Sequence, residues 1–155
     1  NKFMRIEYNL RKIRLAIVVA EFNQEITNKM LNTARNHAKN LNIHVEKIIQ
    51  VPGTFDMPLI VEKLLQIKQI DAVVTLGAVI KGETGHDAVI ANNTARLLSD
   101  ISLKYQKPVT LGITGPDMTV RQAKNRVIVV PKLAVEAAHK MVTRLRELDN
   151  IKGKV

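Results

Sequence analysis

Continuous apolar stretches alternate along the chain with segments in which apolar residues recur at helical spacing. Continuous apolar stretches at residues 14–20, 71–76 and 108–113 are typical of strands buried on both faces, and residues 45–51 predict a further strand. Between and after these stretches, apolar residues recur at helical spacing. This spacing predicts helices over residues 24–41, 57–67, 87–105, 119–126 and 132–148, with Pro131 separating the last two.

The alternation of strands and helices predicts one α/β domain over residues 14–149. Parallel strands joined by helical crossovers give a three-layer, flavodoxin-like sandwich with a four-stranded parallel core sheet. Residues 1–13 precede this domain as an N-terminal arm, and residues 150–155 follow it as a basic tail. Residues 3–9 resemble a weak extra strand with no partner in its own chain. We therefore expect this strand to be added to the sheet of a neighbouring subunit.

Composition narrows the possible classes of protein. Of the 155 residues, 46% are apolar and 25% are charged, which is ordinary for a globular domain. No apolar run approaches the roughly 20 residues of a membrane span, and no secretory signal opens the sequence. Cysteine is absent, which excludes disulfide scaffolds, zinc ribbons and cysteine nucleophiles and is compatible with a cytoplasmic location.

The net charge of +10 raises the possibility of nucleic-acid binding. Seven of the ten excess positive charges, however, lie in residues 1–14 and 140–155. The body of the chain is only mildly basic and has few aromatic residues on which bases would stack. The charge suits a small anionic substrate equally well, so nucleic acid is the less favoured partner.

Glycine and polar residues concentrate where the four predicted strands end. These exits are Phe22-Asn23, residues 52–56 (PGTFD), residues 77–87 (GAVIKGETGHD) and residues 114–117 (TGPD). Ligands of open parallel sheets bind beyond the carboxyl ends of the strands. The topology therefore predicts that these four segments meet at one site.

The third exit carries the richest chemistry. Gly82 and Gly85 bracket a turn before a helix N-terminus, where free N–H groups and the helix dipole favour an anion such as phosphate. The alternative is an ordinary glycine-containing turn, since the spacing of a Walker loop is missing. His86 is either a general acid or base near neutral pH or an exposed histidine at a helix start. No histidine spacing predicts a metal site.

Three further residues have two interpretations each. Asp56 precedes Met57 and Pro58, and it is either a helix N-cap or an acceptor for substrate hydroxyls. Phe22 either packs locally or offers its ring face to a planar heterocycle. Arg126 is either an exposed side chain at a helix end with no binding role or a partner for phosphate.

Four stretches together resemble the lumazine synthases, and their archaeal branch in particular. They are AIVVAEFNQEIT at 16–27, VPGTFDMPL at 51–59, DAVVTLGAVIKGETGHD at 71–87 and KPVTLGITGPDMTVRQAKNRV at 107–127. The resemblance extends in register over residues 14–148. Archaeal riboflavin synthase is a similar, paralogous family, and the GETGHD stretch fits lumazine synthase better. The other competing classes are a non-catalytic shell-forming protein and a basic nucleic-acid binder.

The resemblance implies an enzyme of riboflavin biosynthesis that uses no cofactor. Such an enzyme condenses 5-amino-6-ribitylaminouracil with 3,4-dihydroxy-2-butanone 4-phosphate to 6,7-dimethyl-8-ribityllumazine, phosphate and water. It also implies a homo-oligomer built on pentamers, up to a 60-subunit icosahedral shell, in which each active site spans two subunits. The segment VIVVP at residues 127–131 is unexpectedly apolar for this family.

The resemblance also assigns roles to individual residues. It gives proton transfer to His86 and the phosphate to Arg126 of the adjacent subunit and to the loop around Gly82 and Gly85. The phosphate-binding residues it implies are Gly82, Glu83, Thr84, Gly85 and Arg126, and the residues for the pyrimidine and ribityl groups are Phe22, Asn23, Thr54, Phe55, Asp56, Ala78, Val79, Ile80 and Leu111. Leu111 also comes from the adjacent subunit, and it stands where bacterial relatives often carry an aromatic residue.

Overall fold

Helices and strands alternate from residue 14 onwards in the computed structural model, which describes residues 2–152 except the side chains of Arg5 and Asn9. The strands are β1 (Arg14–Ala20), β2 (His44–Val51), β3 (Ala72–Ala78) and β4 (Val109–Thr114). The helices are α1 (Lys2–Leu10), α2 (Gln24–Asn40), α3 (Met57–Leu65), α4 (His86–Tyr105), α5 (Val120–Lys124) and α6 (Val129–Lys152). A 3₁₀ turn, Thr54–Asp56, precedes α3.

The four strands form one parallel sheet in the order β2-β1-β3-β4. The chain moves outward from β1 to β2 and then returns to the other side of β1 to form β3. The strand order therefore reverses between β1 and β3, and this reversal is where open α/β sheets bind ligands. The prediction of a four-stranded, flavodoxin-like parallel core is confirmed.

Two apolar cores lie on opposite faces of the sheet. Leu15, Ile17 and Val19 of β1 face a core that includes residues of α2 and α6, whereas Ala16 and Val18 face a core that includes residues of α3 and α4. Successive side chains of a strand point to opposite faces, so covering both faces makes the whole strand apolar. This is why residues 14–20 read as a continuous apolar run.

The N-terminal segment differs from its prediction. Residues 3–9 lie within the helix α1, so the prediction of a strand is wrong for this chain. Phe3, Ile6 and Leu10 recur at helical spacing, and a helix satisfies its backbone hydrogen bonds locally, whereas a strand needs a partner. The addition of this segment to a neighbouring subunit stays a prediction, because the structure contains one chain.

The C-terminal helix also begins earlier than expected. Pro131 lies in the first turn of α6, where its missing N–H is not required for the helix, and α6 starts two residues before it. The apolar segment 127–131 thus includes the start of α6. Residues 150–152 of the predicted tail are helical, and residues 153–155 lie outside the described residues. No helix between residues 2 and 152 is long and apolar enough to cross a membrane.

Candidate functional site

A cavity of about 420 Å³ opens at the carboxyl edge of the sheet, where the strand order reverses. Its volume falls within the range of small-molecule sites. The lining residues come from the first three strand exits and the start of α4: Phe22, Asn23, Gly53, Thr54, Phe55, Ala78, Val79, Ile80, Gly82, Thr84, His86, Asp87 and Ile90. The structure therefore brings together most of the residues predicted for the site.

The first exit presents an aromatic ring and fixes the residue that follows it. Phe22 is 74% exposed, although its N–H is held by the carbonyl of Pro52. Asn23 adopts the left-handed conformation, with φ of 61°, which asparagine tolerates better than most residues. Its Nδ2 donates to the carbonyl of Ala78 at 2.9 Å and so ties the first exit to the third. The exposed ring of Phe22 is thus presented from a fixed backbone.

Of the three residues predicted at the second exit, two line the cavity and one does not. Thr54 is buried and Phe55 is 60% exposed, and both line the cavity. Asp56 is exposed, does not line the cavity, and accepts a hydrogen bond from the N–H of Gly53 at 3.0 Å. This bond closes the turn before α3. Asp56 occupies the N-cap position of α3, but its side chain makes no hydrogen bond to that helix, so the capping contact expected from the sequence is absent.

The third exit offers unpaired backbone groups to the cavity. The N–H of Val79 donates to the carbonyl of Thr114 at 2.7 Å, and the carbonyl of Ala78 is engaged by Asn23. The N–H and C=O of Ile80 have no hydrogen-bond partner among the described residues. Ile80 therefore brings one donor and one acceptor to the cavity wall, which is the pattern needed to recognise a polar heterocyclic edge.

The turn of residues 81–85 leads into a long helix with an open N-terminus. Gly85 is the N-cap of the 20-residue helix α4, with φ of 63°, and it supplies no side chain to cap the helix. The first N–H groups of α4 are therefore available to an anion. Gly82 and Thr84 line the cavity beside them, whereas Glu83 and Gly85 do not. The location of Glu83 keeps its carboxylate out of the cavity wall.

His86 is the first residue of α4 and lines the cavity. Its side chain is exposed and has no hydrogen-bond partner among residues 2–152. Asp87 follows it, is 7% exposed, lines the same cavity and accepts a hydrogen bond from the N–H of Asp117 at 2.8 Å. Sequence reasoning placed His86 here and assigned no role to Asp87, whose partner lies 30 residues away.

Like Asp56, Glu83 and Gly85, two further predicted residues do not line the cavity of this chain. Leu111 is 48% exposed on the edge strand β4. Arg126 is exposed, and its guanidinium contacts the sulfur of Met118 at 3.4 Å and the carbonyl of Gln122 at 3.3 Å. Among the described residues, the chain alone therefore brings no arginine to the cavity at the open end of α4.

The opposite edge of the sheet holds a cavity of about 480 Å³ with a different character. It is lined by both tyrosines, Tyr8 and Tyr105, by Asp71, and by the last turns of α6. It has no glycine turn and no helix N-terminus, so the chemistry predicted from the strand exits belongs to the other cavity. No group of three His, Asp or Glu side chains within the described residues forms a metal site.

The arrangement at the carboxyl edge suits a specific kind of chemistry. Two exposed phenylalanine rings provide faces for a planar ring, and Ile80 provides polar groups for its edge. The open N-terminus of α4 attracts an anion, and His86 can transfer a proton beside it. A planar heterocycle and an anionic second reactant would therefore meet next to a titratable side chain.

Comparisons with known proteins point in the same direction. The family model described as 6,7-dimethyl-8-ribityllumazine synthase matches residues 12–148. A protein of that name from Saccharolobus solfataricus is 56% identical over 142 residues, which cover 92% of each chain. Those from Metallosphaera sedula and Methanothermobacter thermautotrophicus are 57% and 51% identical, over 88% and 89% of this chain and 90% and 99% of theirs.

Proposed function

The chain belongs to the 6,7-dimethyl-8-ribityllumazine synthase family, and from this premise we propose that the cavity at the carboxyl edge of its sheet is the active site. The protein is a transferase of riboflavin biosynthesis. Its reaction is the condensation of 5-amino-6-ribitylaminouracil with 3,4-dihydroxy-2-butanone 4-phosphate to 6,7-dimethyl-8-ribityllumazine, phosphate and water. The observation that supports the site is the meeting of Phe22, Ile80, His86 and the open end of α4 in one cavity.

The pyrimidine and its ribityl chain bind between the first two strand exits. The ring of Phe22 stacks on the pyrimidine, and the backbone of Ala78, Val79 and Ile80 reads its polar edge. The unpaired N–H and C=O of Ile80 support this assignment. The ribityl hydroxyls are held near the second exit by Asn23, Thr54, Phe55 and Asp56. The second oxygen of the Asp56 carboxylate remains available for this contact.

The phosphate of the four-carbon ketone binds at the open N-terminus of α4. The first N–H groups of the helix and the turn of Gly82, Glu83, Thr84 and Gly85 surround it, and the helix dipole favours its negative charge. His86 moves protons during imine formation, phosphate elimination and ring closure, because all three steps need proton transfer near neutral pH. Its lack of a hydrogen-bond partner among the described residues leaves the imidazole available.

The active site is completed by a second subunit in a pentamer. Arg126 and Leu111 lie outside the cavity of their own chain and are exposed, as contributors to a neighbour's site must be. A guanidinium next to the phosphate would stabilise the leaving group. The described lining of the cavity in one chain includes no arginine, so the neighbouring subunit would supply it. Pentamers, or a 60-subunit icosahedral shell made from them, are therefore part of the proposal, together with catalysis without a cofactor in the cytoplasm.

An assay with both substrates tests the proposed function. We expect the full chain to release phosphate and to form a product with the absorption and fluorescence of the lumazine. Riboflavin formed from the lumazine alone would instead indicate the paralogous riboflavin synthase. If both activities are absent, the alternative of a non-catalytic, shell-forming protein is favoured. Light scattering with negative-stain microscopy tests the assembly. A fully active species of about 17 kDa would contradict the shared site.

A further inference from the structure

The first turn of α4 lacks the support that helix starts usually have. Its N-cap, Gly85, makes no side-chain hydrogen bond, and a capping side chain normally satisfies one of the free N–H groups. Residues 81–86 are all exposed, and Val89 is 65% exposed. An unsupported helix end of this kind is prone to fray. His86 is the first residue of this turn, so its position depends on whatever holds the turn.

Within the described part of the chain, a side-chain hydrogen bond links this turn to another loop. Asp87 is 7% exposed, and its Oδ2 accepts a hydrogen bond from the N–H of Asp117 at 2.8 Å. Asp117 lies in the loop after β4 and adopts a positive φ of 57°, which aspartate tolerates better than most residues but less well than glycine. The carboxylate of Asp87 is one of the contacts that hold Asp117 in this conformation.

The loop that receives this bond is itself firmly attached to the site. The N–H of Lys81 donates to the carbonyl of Met118 at 2.8 Å, and the N–H of Val79 donates to Thr114. A side chain at Gly115 would collide with the carbonyl oxygen of Val79, so the two loops are in close contact. The loop is therefore a rigid support against which Asp87 can hold α4.

We propose that Asp87 is a positioning residue that holds His86 and the open end of α4 in their productive geometry by accepting the N–H of Asp117. The inference rests on the proposed role of His86. Asp87 acts through its hydrogen bond and not through its charge. Asparagine offers an amide oxygen in the same place and can therefore replace it, whereas alanine cannot.

Steady-state kinetics of lumazine formation test this with the full-length chain. We expect Asp87→Ala to lower kcat by about 10- to 100-fold, because a misplacement of about 1 Å costs up to that much. Asp87→Asn should stay within about threefold of the wild type because its amide oxygen accepts the same bond. Asp100→Ala is the matched control, since it removes an exposed carboxylate from the same helix and should leave the kinetics unchanged.

A double-mutant cycle separates positioning of His86 from general damage. In the His86→Ala background, adding Asp87→Ala should cause a clearly smaller loss of kcat than in the wild type, because only the open end of α4, and not His86, is then left to be misplaced. An equal loss in both backgrounds would show that Asp87 supports only the fold. A loss in Asp87→Asn as large as that in Asp87→Ala would show that the charge matters, and either result overturns the proposal.

Hydrogen exchange tests the same contact without turnover. In Asp87→Ala, the amides of residues 90–93, which bond to the carbonyls of the first turn of α4, should exchange at least tenfold faster, while residues 98–105 of the same helix should be unaffected and Asp87→Asn should resemble the wild type. Unchanged exchange in Asp87→Ala would overturn the proposal. If the variants show this exchange pattern but the wild-type chain forms no lumazine, the proposed function alone is overturned.

Discussion

The two edges of the sheet differ in whether their polar groups have hydrogen-bond partners. At the amino edge, Asp71 accepts hydrogen bonds from the side chains of Arg11 and Arg146 and from the N–H of Arg14. The ring of Tyr8 lies 5.1 Å from the guanidinium carbon of Arg146. At the carboxyl edge, by contrast, His86, the backbone of Ile80 and the start of α4 have no such partners in the described chain.

The difference indicates which edge is structural and which is functional. Buried charges are normally paired, and Asp71 and Arg146 have side chains only 10% and 8% exposed. Groups left without partners in a cavity are available to a ligand instead. Two of the basic residues near the termini, Arg11 and Arg146, are also engaged in hydrogen bonds within the protein at the amino edge. These two positive charges therefore do not contribute to a free surface for nucleic acid.

Removal of the imidazole at the carboxyl edge should have the largest effect. We expect His86→Ala to lower kcat by roughly 10²- to 10⁴-fold with little change in KM, because a positioned acid or base contributes about that much. Steady-state kinetics between pH 6 and 8 check this. His139→Ala is a suitable control, since His139 lies on α6 and does not line the cavity. A variant with wild-type kcat across this range would refute proton transfer by His86.

The amino edge should respond in stability and not in catalysis. Asp71→Ala leaves the buried guanidinium of Arg146 without its carboxylate, which we expect to lower the free energy of unfolding by about 3–5 kcal/mol. The kcat of the folded protein should not change. Chemical denaturation and kinetics at low temperature measure the two quantities separately. Asp149→Ala removes an exposed carboxylate at the same edge and serves as the control. A lower kcat in folded Asp71→Ala would contradict the assignment of a purely structural role to the amino edge.

The sequence predicted the carboxyl edge better than it predicted the contacts that hold it. Strand periodicity located β1 and β3, and parallel strands necessarily end at the same edge, so Phe22, Ile80 and His86 had to meet there. The bond between Asp87 and Asp117 joins the first turn of α4 to the loop after β4, 30 positions apart along the chain. Hydrophobic periodicity carries no information on such a contact, which is why Asp87 was missed.

The N-terminal segment was missed for a different reason. Its residues alternate loosely enough to suit a strand and also repeat at helical spacing, and in short segments the two periods are hard to separate. In this chain the segment forms a helix, and Tyr8 packs over the guanidinium groups of Arg11 and Arg146. Those contacts bring residue 8 next to residue 146, and no local pattern predicts that.

The proposed role of Arg126 in a neighbouring subunit's site extends the comparison beyond one chain. We expect Arg126→Ala to raise the KM for the phosphorylated ketone by roughly 10- to 150-fold, because a charge-assisted bond to phosphate contributes about 1.5–3 kcal/mol. The KM for the pyrimidine should change far less. Lys124→Ala removes another exposed cation from α5, one that pairs with Glu25, and should leave both values unchanged. Equal losses for both substrates would point to a disturbed interface and not to phosphate binding.

The smallest effect should come from the exposed ion pair beside the cavity. The Nζ of Lys81 lies 2.8 Å from the Oδ1 of Asp117, and their side chains are 60% and 79% exposed. The hydrogen bond from Lys81 lowers the pKa of the Asp117 carboxyl, and the same bond raises the pKa of Lys81. A carboxyl whose pKa is lowered on folding stabilises the protein above its unfolded pKa, and that contribution is lost as the pH falls through the folded value.

Lys81→Met should therefore return the pKa of the Asp117 carboxyl to its ordinary range while leaving the Tm at pH 7 without a resolvable change. Water and salt screen an exposed pair of this kind, so little stability depends on it. A carboxyl-detected NMR titration measures the pKa, and repeating it on the wild type at about 1 M salt should move the value in the same direction. The hydrogen bond from the Asp117 N–H to Asp87 involves no atom of Lys81, so the loop should stay in place. A marked fall in Tm would instead show that the ion pair, and not the bond to Asp87, holds the loop against α4.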